Sequence, residues 1–504
     1  MTEKLKIIKV SLTFTTMDRT MLKALNVVLI SLGLALIFNF LFFDKLIGIS
    51  VLIFAVTLLG AVSLFGRYHQ LSLQKTWWLV LLITFFALMP SIRANEFLNF
   101  LNICAVLGLL MLLAHQLVGT PAFVMKLRDY IILMILVPIR MLSRALSTVS
   151  LIGQIHSTVK RRDVWVRAIK GVIMALPILI IFGLLFSQAD LAFSKFINSF
   201  VNITISERTA QYLALLLFAF VAALSFLSYI FFPKESPKSE TIGKIVSEVQ
   251  SGRVIEILVF LGLITALFLV FIGFQVTYLF GGESNIANAG FTYAEYARRG
   301  FWELLAVAIL SLLVLLASEK YAGVESKKDK KFLVPALILI AEVIIVIASA
   351  FKRLSLYIDA YSMTMLRFYV AAFIMLILAL FILLAVKFVK AKQEQFFTSG
   401  TLLSVIAFLT TINLVNPDGF IAKSNMEQFN RTGKLDVNYV RELSADAVLW
   451  KIEMYNKLVG EDKETLRDLL ERQKDNLQNS STDWQSTNFS RARALRLLQD
   501  AGIN

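Results

Sequence analysis

The sequence predicts an all-α polytopic membrane protein: a bundle of about eleven transmembrane helices followed by a small helical extramembrane tail. Three observations predict it. The 504 residues are 58% hydrophobic and only 17% charged, with a mean hydropathy of +0.73. Soluble domains carry about 25% charged residues. Apolar runs long enough to cross a bilayer recur along the chain, and such a run needs about 20 residues. Composition changes abruptly at Asn416-Pro417-Asp418-Gly419, after which charges of both signs mix with apolar residues at helical spacing.

The expected spans cover 22–43, 46–65, 76–92, 97–118, 164–186, 210–232, 254–280, 301–317, 332–351, 364–389 and 398–415. Pro90 and Arg93 close the third early. The first span is too long for a secretory signal core and is read as a retained anchor. Basic residues set the orientation. With the N-terminus in the cytoplasm, inner segments hold 28 Lys and Arg against 9 in the outer loops. The tail then lies outside. The expected organisation is a cytoplasmic N-terminal segment 1–21, a transmembrane domain 22–415 and an extracytoplasmic helical tail 416–504. The net charge of +15 is spread over membrane-flanking loops, which argues against nucleic acid as a partner.

Segment 119–163 is the longest inner stretch. Leu142, Leu146 and Val149 share a stripe, with Arg140 and Arg144 elsewhere on the helix. This fits a helix lying in the membrane interface or one packed on the bundle.

In the tail, Asp436 and Ser444 suit helix N-caps, and Val440, Leu443, Ala447 and Val448 repeat at helical spacing. A second helix through Trp450, Ile452 and Leu458 ends at Gly460. Glu461 and Asp462 begin a third with an apolar face of Leu466, Leu469 and Leu470. Thr487 is placed to cap a last helix bearing Leu495, Leu497 and Leu498.

Glu342 is the sharpest single residue. It sits mid-span in LVPALILIAEVIIVIASAF (333–351), where an acid costs roughly 2.5–3.5 kcal/mol on insertion scales. It needs a partner, a proton or water. It reads either as a neutral carboxyl holding helices together or as a proton or ion site. Gln275, Asn413 and Asn39 are intramembrane polar residues that could neighbour it.

A second group lies at the outer level. In GFTYAEYARRGFWEL (290–304), Glu295, Arg299 and Glu303 are four apart and share a helix side. With Tyr293, Tyr296, Arg298, Arg353, Arg367, Asn416, Asp418 and Asn425 they form a candidate polar outer site. Arg298 or Arg299 there would meet an anionic group, and one of Arg353 and Arg367 is placed to pair with Glu303. The plainer reading is a membrane-entry anchor. The single cysteine, Cys104, excludes an intramolecular disulfide and a multi-cysteine metal site. No catalytic, cofactor-binding or metal-ligating motif is recognised: there is no HExxH, no GxSxG and no phosphate-binding glycine loop. No cofactor is expected.

Two stretches, GFTYAEYARRGFWELLAVA (290–308) and NPDGFIAKSNMEQFNRTGKLDVNYVRELSADAV (416–448), carry a resemblance. They resemble the polytopic bacterial proteins of domain-of-unknown-function family 4173, close to family 4153. The matching positions are Tyr293, Ala294, Glu295, Tyr296, Arg298, Gly300 and Phe301; Asn416, Pro417, Ile421, Ala422 and Asn425; and Asp436, Tyr439, Leu443, Ser444, Asp446 and Ala447. The resemblance implies a multi-pass protein of the bacterial cytoplasmic membrane and supplies no reaction. The function expected first is an envelope sensor, regulator or accessory component. Its partners are the lipid bilayer and, at the outer face, a membrane protein or an anionic ligand. The alternatives are a proton- or ion-coupled transporter using Glu342, or an envelope enzyme acting on a lipid-linked substrate.

Overall fold

The structure is a computed structural model that describes residues 2–69, 74–119, 123, 125, 127–152, 207–233, 254–280, 301–326, 330–390, 394–433, 435–479 and 483–503. Among these the architecture is all-α, with no strand. Helices are numbered here in chain order: α1 Thr2–Phe42, α2 Ser50–Tyr68, α3 Trp77–Ile92, α4 Glu96–Leu117, α5 Leu127–Ile152, α6 Glu207–Phe231, α7 Val254–Phe280, α8 Phe301–Ser326, α9 Lys330–Tyr361, α10 Met365–Val389 and α11 Glu394–Val415. Shorter helices follow: α12 Pro417–Thr432, α13 Val437–Glu442, α14 Val448–Lys457, α15 Glu461–Asn479 and α16 Phe489–Asp500.

Eight of the described helices are long and apolar enough to cross a bilayer: α1 (from Arg19), α2, α4, α6, α8, α9, α10 and α11. Shorter apolar stretches, Trp77–Ile92 and Ile257–Gly273, fall at the expected third and seventh spans. The expected fifth span, 164–186, lies outside the described residues. Helices are what this environment demands, because every backbone polar group inside lipid must be satisfied within its own segment.

The chain divides into two compact units. The first comprises Met1–Phe85, Val106–Thr120 and Ile131–Lys234; the second comprises Phe86–Ala105, Pro121–Tyr130 and Glu235–Asn504. In the first unit α1 and α6 pack antiparallel. The Asn39 side chain donates to the Tyr212 carbonyl at 3.3 Å, and Lys23 lies 5.3 Å from the Phe232 ring centroid. At the Asn39 end, Asp44 and Arg208 pair at 2.9 Å. The part of α5 in this unit buries Val137, Met141, Ala145 and Thr148, a stripe at helical spacing, and exposes Ile139, Leu142 and Val149. Arg144 donates to the Tyr229 carbonyl at 2.9 Å and stacks on the Tyr229 ring. This arginine is thus committed to α6, and the helix is packed along one side while its other side exposes Arg140, Ser143 and Ser147 beside the apolar residues.

In the second unit α7, α8, α9 and α10 share one apolar cluster that includes Leu261, Leu315, Leu339, Val343 and Phe381. A second cluster runs from Leu98, Phe368 and Ile412 on α4, α10 and α11 into Ile421, Val440, Leu443, Leu466, Leu470 and Leu498. The short helices therefore complete their core on the ends of the long ones. Residues on both sides of 416 belong to this unit.

The caps of the short helices follow their sequence signals, with one correction. Asp436 accepts from the Tyr439 N–H, and Ser444 accepts from the Asp446 N–H. The last helix is capped by Asn488, which accepts from the Arg491 N–H, and not by Thr487, whose hydroxyl turns back to the Trp484 carbonyl. Both residue types cap well; Asn488 prevails because its amide has further partners, described next.

Candidate functional site: a carboxylate latch

A dense polar cluster among the described residues of the second unit sits where α3 and α11 end and α4, α10 and α12 begin. Pro417 and Asp418 open α12, whose N-cap Asn416 holds the left-handed conformation (φ 59°). Asparagine tolerates that region better than most residues. Its side chain accepts from the Gly419 N–H at 3.3 Å and donates to the Asp446 carbonyl at 3.4 Å. A Cβ on Gly419 would stand 2.6 Å from the Asn416 amide nitrogen, so a larger residue there would displace the cap.

Asp418 is fully buried. Its two oxygens accept from the Asn95 amide at 3.1 Å each, and Oδ2 also accepts from the Ser444 N–H at 3.0 Å. Asp446 reaches the same turn. Its Oδ2 accepts from the Ala94 and Asn95 N–H groups at 2.9 and 3.2 Å. Asn95 meanwhile caps α4 by accepting from the Leu98 N–H at 2.8 Å. Two carboxylates thus converge on the N-terminus of a spanning helix, where unsatisfied N–H groups and the helix dipole favour negative charge. Burial pushes the Asp446 carboxyl above its usual range, with hydrogen bonds from Ser490 and the Ala94 N–H pulling the other way.

Further bonds tie the same ends. Arg93 donates to the Asn413 and Leu414 carbonyls at 2.8 and 3.2 Å, a cation at the C-terminus of α11. Asn102 and Asn413 exchange side-chain bonds at 2.9 and 2.8 Å between α4 and α11. Asn488 donates to the Pro90 and Arg93 carbonyls at 2.9 and 2.8 Å. The α9–α10 turn is gripped in parallel: Asn425 both accepts from and donates to the Met363 backbone, at 2.8 and 3.0 Å. The Tyr439 hydroxyl accepts from the Met365 N–H at 2.6 Å, and Gln428 donates to the Asp359 carbonyl at 2.9 Å. Beneath this layer Lys451, 3% exposed, donates to the Leu443 carbonyl and to Gln473.

Of the expected outer site, the structure places Asn416 and Asp418 in one network and Asn425 on the neighbouring turn. Arg367 donates to the Tyr361 and Ser362 carbonyls and lies over the Tyr357 ring, 4.1 Å from its centroid. These contacts are with its own turn and do not include Glu303. Arg353 is buried on α9, and Glu303 is exposed in the first turn of α8. Tyr293, Glu295, Tyr296, Arg298 and Arg299 lie outside the described residues. Arg93, Asn95, Asn102, Asn488 and Lys451 were not anticipated. The signal for Asn95 was an asparagine just before Glu96, an N-cap pattern; nothing local marks the others.

Glu342 stands apart from this cluster. It is 3% exposed on α9, among the apolar residues of the first-named cluster, and neither oxygen has a hydrogen-bond partner among the described residues. Its sequence-level candidates are committed elsewhere: Asn39 to Tyr212 and Asn413 to Asn102. The Gln275 side chain lies outside the described residues. Nearer the far end of the same helices, Glu319 on α8 and Lys387 on α10 form a buried ion pair at 2.5 Å.

A family model described as a domain of unknown function, DUF4153, matches residues 80–453. The chain belongs to this family. Family 4173, which the motifs resemble, is not shown; the neighbouring family 4153 is. No curated protein and no solved structure matches. The DUF4153 match runs from within α3 to within α14 and so contains Arg93, Asn95, Asp418 and Asp446 together.

Proposed function

We propose that this DUF4153 protein is a regulatory or accessory component of a bacterial envelope, in which the helices after residue 416 form an extracytoplasmic sensing element latched to the ends of the spans. One observation carries the reading: both carboxylates at the latch are engaged by Asn95 and by backbone N–H groups of the α3–α4 turn and residue 444. Groups so engaged transmit position, because any force on α12 or on residues 444–446 acts directly on the start of α4. The excess of Lys and Arg in alternate loops supports a cytoplasmic N-terminus and an outer tail at the cytoplasmic membrane.

The test is genetic and biochemical. A deletion strain is complemented with the wild type or with Asp418→Ala at equal membrane levels, and its envelope-stress responses are measured. The variant is expected to alter the response without losing membrane insertion. A variant indistinguishable from wild type would remove the latch from signalling.

A second reading rests on Glu342. A buried acid with no described hydrogen-bond partner suits proton or ion movement. Proteoliposomes would show a flux that Glu342→Gln abolishes; a flux unchanged by that substitution, or no flux with any ion tested, rejects it.

A further inference from the structure

We propose that α16 and the residue stretch before it form a membrane-surface anchor that binds anionic lipid headgroups, independently of the regulatory reading. Three exposed apolar side chains mark where the bilayer ends. Phe97, Leu366 and Leu414 are exposed, each one residue inside the end of a spanning helix. Those three ends are tied together: Arg93 bonds to the Asn413 and Leu414 carbonyls, and the Asn95 amide contacts both Asp418 and the Met365 sulfur. They therefore mark one boundary level.

Asn488 fixes α16 at that level through the Pro90 and Arg93 carbonyls. Phe489 is the next residue, so its Cα is about 3.8 Å from that of Asn488. Trp484 is four residues earlier, within roughly 14 Å even if the chain were extended. Both are exposed, Phe489 by 57% and Trp484 by 52%. Phe489, Arg493 and Arg496 are spaced by four and three, so they share one side of α16. Ala494 and Leu498, on the other side, are buried. Arg493 and Arg496 are exposed, and Asp500 ends the same stripe.

An exposed aromatic pair at the boundary, followed by arginines on the side of α16 that carries Phe489, is the chemistry of an interfacial helix. The rings enter the headgroup–acyl border, and the guanidinium groups meet phosphates in a fork geometry that lysine lacks. A soluble protein partner fits less well, because Asn488 holds this surface at the level where the lipid begins.

The test uses the full chain in nanodiscs. Trp484→Cys and Phe489→Cys are spin-labelled singly in a Cys104→Ser background. Collisions with oxygen, which partitions into lipid, are compared with collisions with a water-soluble nickel chelate. Discs are made of phosphatidylcholine alone or mixed with phosphatidylglycerol. Both labels are expected to meet oxygen several-fold more readily than nickel, with greater depth in the anionic discs. Arg493→Gln with Arg496→Gln should abolish the anionic increment while thermal unfolding stays unchanged. Nickel reaching both labels as readily as oxygen would overturn the proposal. So would depth indifferent to phosphatidylglycerol. Shielding from both reagents would place protein, a partner or a second copy, on this surface and would also overturn it.

Discussion

Asn95 donates its amide to both oxygens of Asp418 while its carbonyl oxygen caps α4. One side chain therefore joins the start of a spanning helix to the first turn of the helix that follows the last span. Hydrogen bonds to a buried charge are worth about 1.5–3 kcal/mol, and each buried donor left unsatisfied costs about 1–3 kcal/mol. Asp418→Ala strands the Asn95 amide and the Ser444 N–H, so a destabilisation of about 2–4 kcal/mol is expected. Limited proteolysis in detergent should then cut the chain after residue 416 sooner than in wild type. Unchanged cleavage would mean that the apolar cluster alone holds α12.

Gly419→Ala tests the same turn from the steric side. The added methyl group meets the Asn416 amide at 2.6 Å, and the Asp446 carbonyl lies 3.4 Å away. The Asn416 cap must move, with a loss of about 1–2 kcal/mol, the usual worth of an N-cap. Thermal unfolding reads it, and Asn416→Ala should cost a similar amount alone and little more in combination with Gly419→Ala.

Lys451 makes the short-helix region depend on alkaline pH. Burial lowers its pKa from 10.5 to about 8, against the attraction of Asp418. The unfolded chain binds this proton more tightly than the folded one does. Below about pH 8 the folded state bears the full cost of a buried charge; between about 8 and 10.5 the cost fades, so stability rises with pH by up to roughly 3 kcal/mol. In denaturant unfolding at fixed ionic strength, Lys451→Met should flatten this rise. A wild type whose stability falls steadily through that window would contradict the assignment.

The Lys387–Glu319 pair should behave as a unit. Removing one partner deprives the other buried charge of its counter-charge, at about 3–5 kcal/mol. Replacing both with apolar residues is often neutral or stabilising. Lys387→Met should thus lower detergent stability, and Lys387→Met with Glu319→Leu should restore most of it. A double variant as unstable as the single one would give the pair a role beyond mutual neutralisation.

Glu342 gives the opposite sign. With both oxygens unbonded among the described residues, the side chain burdens the bundle. Glu342→Leu is expected to raise stability by about 1–3 kcal/mol, the cost of an unsatisfied buried polar group. Stability bought at a site is often activity lost. Destabilisation by this substitution would reveal a bond that the carboxyl makes.

The motif residues of the tail were legible before their roles were. Asp436 and Ser444 announced caps by residue type and spacing, and both act so. Tyr439, Asn425 and Asp446 stood in the same motif, yet their partners are Met365, Met363 and the 94–95 backbone, up to about 350 residues away. Spacing along a chain says nothing about such partners. Arg367 shows the converse: it was one of two arginines expected to pair with Glu303, but its Nη1 donates to two carbonyls of its own turn.

The sequence by itself determined the helical membrane class, the positions of the eight long apolar helices among the described residues and the change of character at Asn416, because hydropathy and helical periodicity are local properties of consecutive residues. Only the tertiary structure decided that Arg93, Asn95, Asp418, Asp446 and Asn488 share one network. That meeting depends on which helix ends are neighbours in space, and hydrogen bonds are satisfied by proximity in space whatever the separation along the chain.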